Sequence, residues 1–451
     1  MKVALVRPLV ALALLCVPSP LQADVSLAGR LVSPVSGAEL SDGAQTPSLS
    51  PDGRYLAFVS TSANLGLPSN GSLNLYVCDL TSGECALATS VLGEAGNSFA
   101  PSPSEGALAV AFQSDANNFV PGGTSGVSDL FYSVAYDAGQ GQVGYATYLV
   151  SKGLSAAPPN GASEGASLSA DGRWVAFRSY ASNLIAGDTN GSPDIFVGDA
   201  ANLFADPPER VSVSSSGGEI DGYSMALSSS SISSDGRYVA FSANPSFSID
   251  GSDPNTLTDV FVRDREAGTT SLISKSTAGE AGHSSSDMAA ISPSGRFVVF
   301  RSFSNLVASP SGSRVYLRDR QEGTTIDMPL PPNASSCEDP RVSDFADIVA
   351  QCSLFTGSSQ VFLYTPRDGS LYMLSTSLSS GPGNGNSGDY AGISANGAVL
   401  VFDSAATDLV PSDMNSSPDV FLVVPEPGSA AGAFATLAAL ATVARRTKRA
   451  G

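Results

Sequence analysis

Short apolar runs recur along the chain, and polar segments rich in glycine, serine and aspartate separate them. The clearest example is SPDGRYLAF, in which a turn-forming Asp-Gly pair precedes a nearly uninterrupted apolar stretch that ends at Phe58. Asp-Gly favours a tight turn because both central positions of a type I′ turn need positive φ. A run that is apolar at successive positions indicates a strand covered on both faces. The pattern therefore predicts strand–turn–strand units inside stacked sheets.

The same unit returns six more times. Close copies are SADGRWVAF, SSDGRYVAF and SPSGRFVVF, and degenerate copies are SPSEGALAVAF, SDFADIVA and SANGAVLVF. A further strand such as DIFVGD or DVFVRD follows most copies, another follows a short polar turn, and one more precedes Asp-Gly. Each unit therefore holds four strands. Four-stranded sheets repeated at a spacing of roughly 50 to 65 residues are typical of propeller blades.

The last copy ends at Val424 without its fourth strand. The segment SLAGRLVSPVSGAEL near the start of the chain is similar in sequence to the fourth-strand segments ERVSVSSSGGEI and SLISKSTAGEAG. It can therefore complete the last blade and remove the exposed edges of an open ring. The sequence predicts an all-β fold: a β-propeller of four-stranded blades, with seven blades closed by the N-terminal strand. Six or eight blades remain alternatives because some copies are degenerate.

The DGR-aromatic-[LV]-A-F unit, paired with D-[IV]-F-V-x-D, resembles the TolB-type, WD-like propeller repeat of exported bacterial proteins. The resemblance covers roughly residues 30 to 424. It implies a TolB-like propeller over residues 24–424 and a tendency to bind partners. It transfers no activity, because this family is functionally broad.

Residues 1–23 have the pattern of a secretory signal peptide. Lys2 and Arg7 form a basic start, Leu9 to Val17 form a short apolar core, and cleavage is expected after Ala23. A retained membrane anchor is the alternative, but the apolar run is too short to span a bilayer comfortably. Export is therefore expected.

The segment 425–451 combines a Pro-Glu-Pro box (Pro425, Glu426, Pro427), an uncharged apolar run and a basic end. The basic residues are Arg445, Arg446, Lys448 and Arg449. The run suggests a short transmembrane helix with the basic end in the cytoplasm and the propeller outside the inner membrane. The order resembles the PEP-CTERM sorting signal. That resemblance implies recognition by an exosortase, cleavage near the box, and release or transfer of the body to the cell surface or extracellular matrix. A plain C-terminal anchor is the alternative.

Charge excludes one large class of partners. The signal segment and the tail behind Pro427 carry six basic residues and no acidic one, so without them the formal net charge changes from −19 to −25. Such a body repels nucleic acid and anionic lipid. No nucleic-acid role is expected.

Four cysteines remain after removal of the signal segment, an even number in an oxidising compartment. Cys78 and Cys85 flank one turn, and Cys337 and Cys352 bracket a hairpin-sized stretch. Two local disulfides are expected, and four buried thiols are the alternative. A zinc site is not expected, because the spacings are wrong for one and His283 is the only histidine.

Three loops place oxygen-bearing side chains at alternate positions, a spacing that suits calcium. They are Asp188, Asn190 and Asp194; Asp253, Asn255 and Asp259; and Asp413, Asn415 and Asp419. The glycine that a calcium-binding loop has at its sixth position is missing, and the second loop offers fewer side-chain ligands. These features favour the alternative, in which the residues cap turns and the last Asp sets the next strand through backbone hydrogen bonds. No other cofactor is expected.

The sequence offers no convincing catalytic constellation. Ser163 lies in a GxSxG pattern and could be imagined with His283, but a nucleophile elbow needs a preceding strand and a following helix. Here Pro158 and Pro159 precede it and a propeller strand follows. Catalysis by Ser163 is therefore not expected.

The leading hypothesis is an exported, surface-sorted propeller that binds a protein or polysaccharide without catalysis, through loops at one face of the ring. The first alternative is an extracellular enzyme that acts on a polysaccharide through carboxylates in the channel. The second is a periplasmic assembly factor like the TolB propeller, although such a protein needs no sorting tail.

Overall fold

The computed structural model describes residues 25–31, 39–89, 96–116, 118–120, 127–139, 142–202, 204–220, 231–244, 255–308, 312–411, 413–415 and 417–425. The predicted signal peptide, Glu426, Pro427, the apolar run and the basic residues Arg445, Arg446, Lys448 and Arg449 lie outside these residues. No helix within the described ranges is long and apolar enough to cross a membrane. The helices described are four short 3-10 turns at Ala63–Leu65, Glu105–Ala107, Leu154–Ala156 and Ala200–Asn202.

The described strands form seven antiparallel sheets, which we number as blades in chain order. Blade 1 contains β2 (Gln45–Leu49), β3 (Tyr55–Ser60), β4 (Asn74–Asp79) and β5 (Cys85–Leu87), and blade 2 contains β6 (Ser98–Pro103), β7 (Ala109–Ser114), β8 (Asp129–Gly139) and β9 (Gln142–Leu149). Blade 3 contains β10 (Ser163–Leu168), β11 (Trp174–Ser179), β12 (Asp194–Asp199) and β13 (Glu209–Arg210), and blade 4 contains β14 (Tyr238–Ala243), β15 (Asp259–Asp264) and β16 (Thr269–Leu272). Blade 5 contains β17 (Ser286–Ile291), β18 (Phe297–Ser302), β19 (Arg314–Asp319) and β20 (Thr324–Asp327), and blade 6 contains β21 (Ala334–Val342), β22 (Ile348–Leu354), β23 (Ser359–Thr365) and β24 (Ser370–Met373). Blade 7 contains β25 (Ser387–Ile393), β26 (Leu400–Ser404), β27 (Asp419–Pro425) and β1 (Val25–Arg30).

The ring closes as predicted. The N-terminal strand β1 pairs antiparallel with β27 and is the outermost strand of blade 7, with Val25 opposite Pro425. Blade 4 has three strands within the described residues, and an isolated bridge from Ile232 to Val239 lies where an innermost strand would pair with β14. The all-β, seven-bladed architecture is therefore confirmed. The propeller puts the Asp-Gly turns on one face, the turn face, and the connections from second to third strands on the other, the loop face.

The repeated motif forms the same contacts in each clear copy. In blade 3, Arg173 donates from Nε and Nη2 to the two carboxylate oxygens of Asp199, at 3.0 and 2.8 Å. Its guanidinium also lies over the ring of Trp174, 4.4 Å from the ring centre. The pairs Arg54 with Asp79, Arg237 with Asp264 and Arg296 with Asp319 repeat this arrangement. The Arg of the turn is thus fixed by the Asp that ends the third strand.

The motif also packs each blade on the next. Gly236 of blade 4 has φ +73°, and a Cβ built on it would lie 2.1 Å from Cδ1 of Trp174 in blade 3. Gly295 of blade 5 has the same relation to Tyr238 of blade 4, at 2.4 Å. Glycine is therefore required at these positions for two reasons: the backbone has a positive φ, and the neighbouring ring leaves no room for a Cβ.

The hydrophobic core lies between neighbouring blades. One cluster, for example, combines Phe177 and Phe196 of blade 3 with Ala111 and Tyr132 of blade 2. Aromatic pairs of the second and third strands recur around the ring: Phe58–Tyr76, Phe112–Phe131, Phe177–Phe196, Phe241–Phe261, Phe300–Tyr316 and Phe402–Phe421. These rings explain the buried Phe that ends each clear copy of the motif.

Both predicted disulfides are present. Cys78 and Cys85 join β4 to β5, and Cys337 and Cys352 join β21 to β22. In other blades, two serines occupy the positions of Cys337 and Cys352: in blade 3 Ser163 bonds to Ser179, and in blade 5 Ser286 bonds to Ser302, each at 2.8 Å. The disulfide thus replaces a serine–serine hydrogen bond that recurs around the ring.

Candidate functional site

The first strands of the blades surround the ring axis, and charged residues lie at their loop-face ends. Glu164 pairs in register with Arg178, Asp287 with Arg301, and Glu338 with Gln351, in each case across the first and second strands of one blade. The register of all three first strands shifts directly after the acidic residue. Such bulges redirect side chains in a strand.

We call this region the axial surface. It comprises Glu164, Arg178, Tyr180, Asp287, Arg301, Phe303, Glu338, Gln351, Asp389 and Asp403, all near the loop-face ends of first and second strands.

Polar contacts on the axial surface link neighbouring blades. Arg301 of blade 5 donates to both carboxylate oxygens of Asp287, each at 2.8 Å, and to Oε2 of Glu338 in blade 6 at 3.0 Å. Gln351 of blade 6 donates to Oδ1 of Asp389 in blade 7 at 2.8 Å. The hydrogen bond with Asp287 raises the pKa of Arg301. These contacts fix the side chains before any ligand arrives.

Two aromatic rings on the axial surface are exposed. Tyr180 is 43% exposed and Phe303 is 48% exposed, and each directly follows the second strand of its blade. The guanidinium of Arg178 lies 4.9 Å from the centre of the Tyr180 ring, and that of Arg301 lies 5.4 Å from the centre of the Phe303 ring. Each ring is therefore held against an arginine and presents area to solvent.

Asp403 is a buried carboxyl of the axial surface, 7% exposed. Burial raises its pKa to about 7, with a smaller contribution from the negative charge of Asp389, although its carboxylate accepts a hydrogen bond from the backbone N–H of Tyr390 at 3.1 Å. A carboxyl with this pKa can donate or accept a proton near neutral pH. The sequence did not single it out, because Asp389 and Tyr390 lie on another strand, β25, and Thr46, whose backbone also bonds to it, lies in blade 1.

The first predicted calcium loop brings Asp188 and Asp194 together with two residues that the sequence reasoning missed, Arg210 and Glu219. Burial raises the pKa of Asp194 to about 6 and also raises that of Asp188. Asn190 serves differently: its Oδ1 accepts the N–H of Ser192 at 2.9 Å, and its Nδ2 donates to Asp194 and to a backbone carbonyl. Its oxygen is thus engaged in the turn, as in the capping alternative.

The third loop has the same construction in blade 7. Asp413 and Asp419 lie with Arg30 and Glu39, and Asn415 accepts the N–H of Ser417 at 2.7 Å. Burial raises the pKa of Asp413 to about 6 and that of Asp419 to about 7. In both loops the carboxylate oxygens of the three acids lie within 4.8 Å of one another.

In the second loop, Asp253 lies outside the described residues. Asn255 accepts the N–H of Leu257 at 2.7 Å, and Asp259 accepts the hydroxyl of Ser274 at 2.6 Å. This loop therefore keeps the turn and the strand-setting Asp. Calcium binding at the three loops stays a prediction.

Ser163 occupies a structural position. It is fully buried at the start of β10, and its hydroxyl donates to Oγ of Ser179 at 2.8 Å. Ser98, Ser286 and Ser387 pair in the same way with the second strands of their blades. The GxSxG match therefore lies on a propeller strand and not on an elbow.

No protein-family model and no curated protein sequence matches the chain. Solved structures do match. An oligogalacturonate lyase in complex with manganese superposes with a TM-score of 0.54 at 11% identity, covering 93% of this chain and 99% of that chain. The oligogalacturonate lyase of Vibrio parahaemolyticus gives a TM-score of 0.53 at 12% identity, covering 85% and 90%. TolB from Acinetobacter baumannii is 19% identical over 68% of this chain, with a TM-score of 0.36, and the chain spans 58% of the length of that protein. At these identities the similarity shows the propeller fold alone.

Proposed function

We propose that the protein is an exported, surface-sorted propeller that binds a polysaccharide at its axial surface without catalysis. The observation that carries this proposal is the pair of half-exposed rings, Tyr180 and Phe303, each held over an arginine. Aromatic rings offer flat apolar faces at low entropic cost, and the adjacent carboxylates and guanidinium groups can bond to hydroxyls.

The charge of the protein narrows the class of polysaccharide. The region between the signal segment and the tail carries a formal net charge of −25, so it repels polyanions at long range. Within the axial surface, Arg178 and Arg301 are already paired with carboxylates. A neutral or amino-sugar polymer therefore fits the site better than an acidic one.

Export and sorting are the second half of the proposal. The signal pattern of residues 1–23 and the Pro-Glu-Pro box with its basic tail support them. The two disulfides support an oxidising compartment. We propose that an exosortase-type protease processes the chain near Pro425–Pro427 after transient anchoring in the inner membrane, and that the propeller then acts at the cell surface or in the matrix.

Replacing both rings, Tyr180→Ala with Phe303→Ala, is expected to raise the dissociation constant for a neutral or amino-sugar polysaccharide about tenfold or more, because aromatic anchors dominate binding energy. The measurement is affinity electrophoresis or calorimetry with a panel of soluble glucans, chitosan oligomers and oligogalacturonate. Phe345→Ala is the matched control, since Phe345 is 59% exposed on the turn face, between β21 and β22. Equal loss in the control, or no binding to any neutral or amino sugar, would contradict the proposal.

One observation favours the enzyme alternative. Asp403 has a pKa raised to about 7, as an acid or base acting at neutral pH requires, and the similar structures include two oligogalacturonate lyases. The same panel separates the two functions. If the protein shortens any of these polymers and Asp403→Asn abolishes this activity, the protein is an enzyme and the non-catalytic binding proposal is wrong.

The sorting proposal predicts the intact mass of the protein recovered from the surface or medium of its native host. A species that starts at Asp24 and ends near Pro425–Pro427, with or without an added group, is expected. A species that still carries Arg445 to Arg449 would indicate a plain inner-membrane anchor and would move the search for partners to the periplasm.

A further inference from the structure

The two ends of the propeller meet at a group of charged side chains that we call the closure cluster: Arg30, Glu39, Asp413 and Asp419. Arg30 ends the N-terminal strand β1 and Glu39 lies in the segment after it, whereas Asp413 and Asp419 come from the other end of the propeller, the connection from β26 to β27 and the start of β27. Nη1 of Arg30 lies 2.9 Å from Glu39, 3.5 Å from Asp413 and 3.0 Å from Asp419. One guanidinium therefore serves three carboxylates.

The carboxylates of the closure cluster are incompletely satisfied. The side chains of Asp413 and Asp419 are 3% and 1% exposed. Oδ1 of each is buried and has no hydrogen-bond partner among the described residues. With all groups ionised the cluster carries two excess negative charges. Buried carboxylate oxygens without a donor are costly, so a missing positive partner is indicated.

Blade 3 holds the equivalent cluster, Arg210 with Asp188, Asp194 and Glu219, and the comparison identifies what differs. There, the hydroxyl of Ser212 donates to Oδ1 of Asp194 at 2.5 Å. In the sequence, the residue two positions after Arg30 is Val32, which has no hydroxyl. Among the described residues, the blade 3 cluster is left with one buried carboxylate oxygen that accepts no hydrogen bond, Oδ1 of Asp188, and the closure cluster with two.

We propose that the closure cluster binds one calcium ion beside Arg30, through carboxylate oxygens of Asp413, Asp419 and Glu39. Calcium takes oxygen ligands at about 2.3–2.6 Å, so ligand oxygens on one ion lie at most about 5 Å apart, and the three acids satisfy this limit at 4.8 Å. One divalent ion neutralises the two excess charges. Glu39 takes the place that the sequence pattern gave to Asn415, whose oxygen is engaged in its turn.

The ion has a structural role that does not depend on the proposed function. Glu39 also accepts the N–H groups of Met414 and Asn415, so the ligands already join the start of the chain to the last blade. A calcium ion at this position fastens the N-terminal segment to blade 7 and stabilises the closed ring.

Calcium titration of the purified protein by calorimetry is expected to give one site, with a dissociation constant on the order of 10⁻⁴–10⁻³ M, as in extracellular modules. At 10 mM calcium the Tm is expected to rise by about 3 °C relative to sodium chloride of equal ionic strength. Asp413→Asn should abolish both effects. Glu39→Gln is the second variant, and it decides the matter if circular dichroism shows that Asp413→Asn does not fold.

Asp188→Asn in blade 3 is the matched control, because it makes the same change in the equivalent cluster. This variant should keep the calcium site and the Tm shift. Absence of saturable binding by the unchanged protein would overturn the proposal. Retention of the site in both closure-cluster variants, or its loss in Asp188→Asn, would also overturn it.

Discussion

Replacing Gly236 with alanine is expected to lower the free energy of unfolding by about 2–4 kcal/mol. Part of the loss, about 1 kcal/mol, comes from placing a Cβ at φ +73°. The larger part comes from overpacking, since the new Cβ would lie 2.1 Å from Cδ1 of Trp174. That ring cannot move freely, because Arg173 and Arg265 lie against it at 4.4 and 4.1 Å. Urea denaturation measures the change.

Gly187→Ala separates the two contributions. Gly187 has φ +80°, and nothing lies within 4 Å of its added Cβ, so only the backbone term of about 1 kcal/mol is expected. Equal losses at the two positions would mean that the contact between blades 3 and 4 contributes nothing. The glycine of the repeated motif would then be explained by turn geometry alone.

Replacing Cys337 and Cys352 together with serine is expected to cost about 3 kcal/mol, the loop entropy that a cross-link across 15 residues removes from the unfolded chain. The substitution isolates the cross-link, because Ser163 with Ser179 and Ser286 with Ser302 already show that a serine pair fits this position in other blades. Denaturation under non-reducing conditions measures the difference.

The second disulfide provides the comparison. Cys78 and Cys85 are separated by 7 residues, so the corresponding double substitution is expected to cost about 2.5 kcal/mol. A large excess of the Cys78–Cys85 cost over the Cys337–Cys352 cost would contradict the loop-entropy explanation. It would indicate that local packing around the thiols determines the loss.

The ring could be predicted from the sequence because its determinants are local. Each Asp-Gly turn and each apolar run lies within one short segment, and so does the N-terminal sequence SLAGRLVSPVSGAEL. Together these local features specify the blades and the closure of the ring. The disulfides followed for the same reason, since Cys78 and Cys85, like Cys337 and Cys352, are neighbours along a hairpin.

The candidate sites could not be predicted in the same way, because they join residues from different blades. Arg301 meets Glu338 only when blades 5 and 6 pack side by side. Arg30 meets Asp413 and Asp419 only after the two ends of the chain come together. One signal was available: Arg and Glu stand nine residues apart in both aligned segments, as Arg30 with Glu39 and Arg210 with Glu219.

The pairing of Val25 with Pro425 has a consequence for how the molecule would stand on a membrane. Both residues lie at the end of blade 7 where the turn face begins, because β27 starts on the loop face at Asp419 and runs away from it. A propeller anchored in the membrane through the segment behind Pro425 would therefore be attached at the outer edge of its turn face. The axial surface, with Tyr180 and Phe303, would face away from the membrane, where long polymers can reach it without passing between protein and lipid.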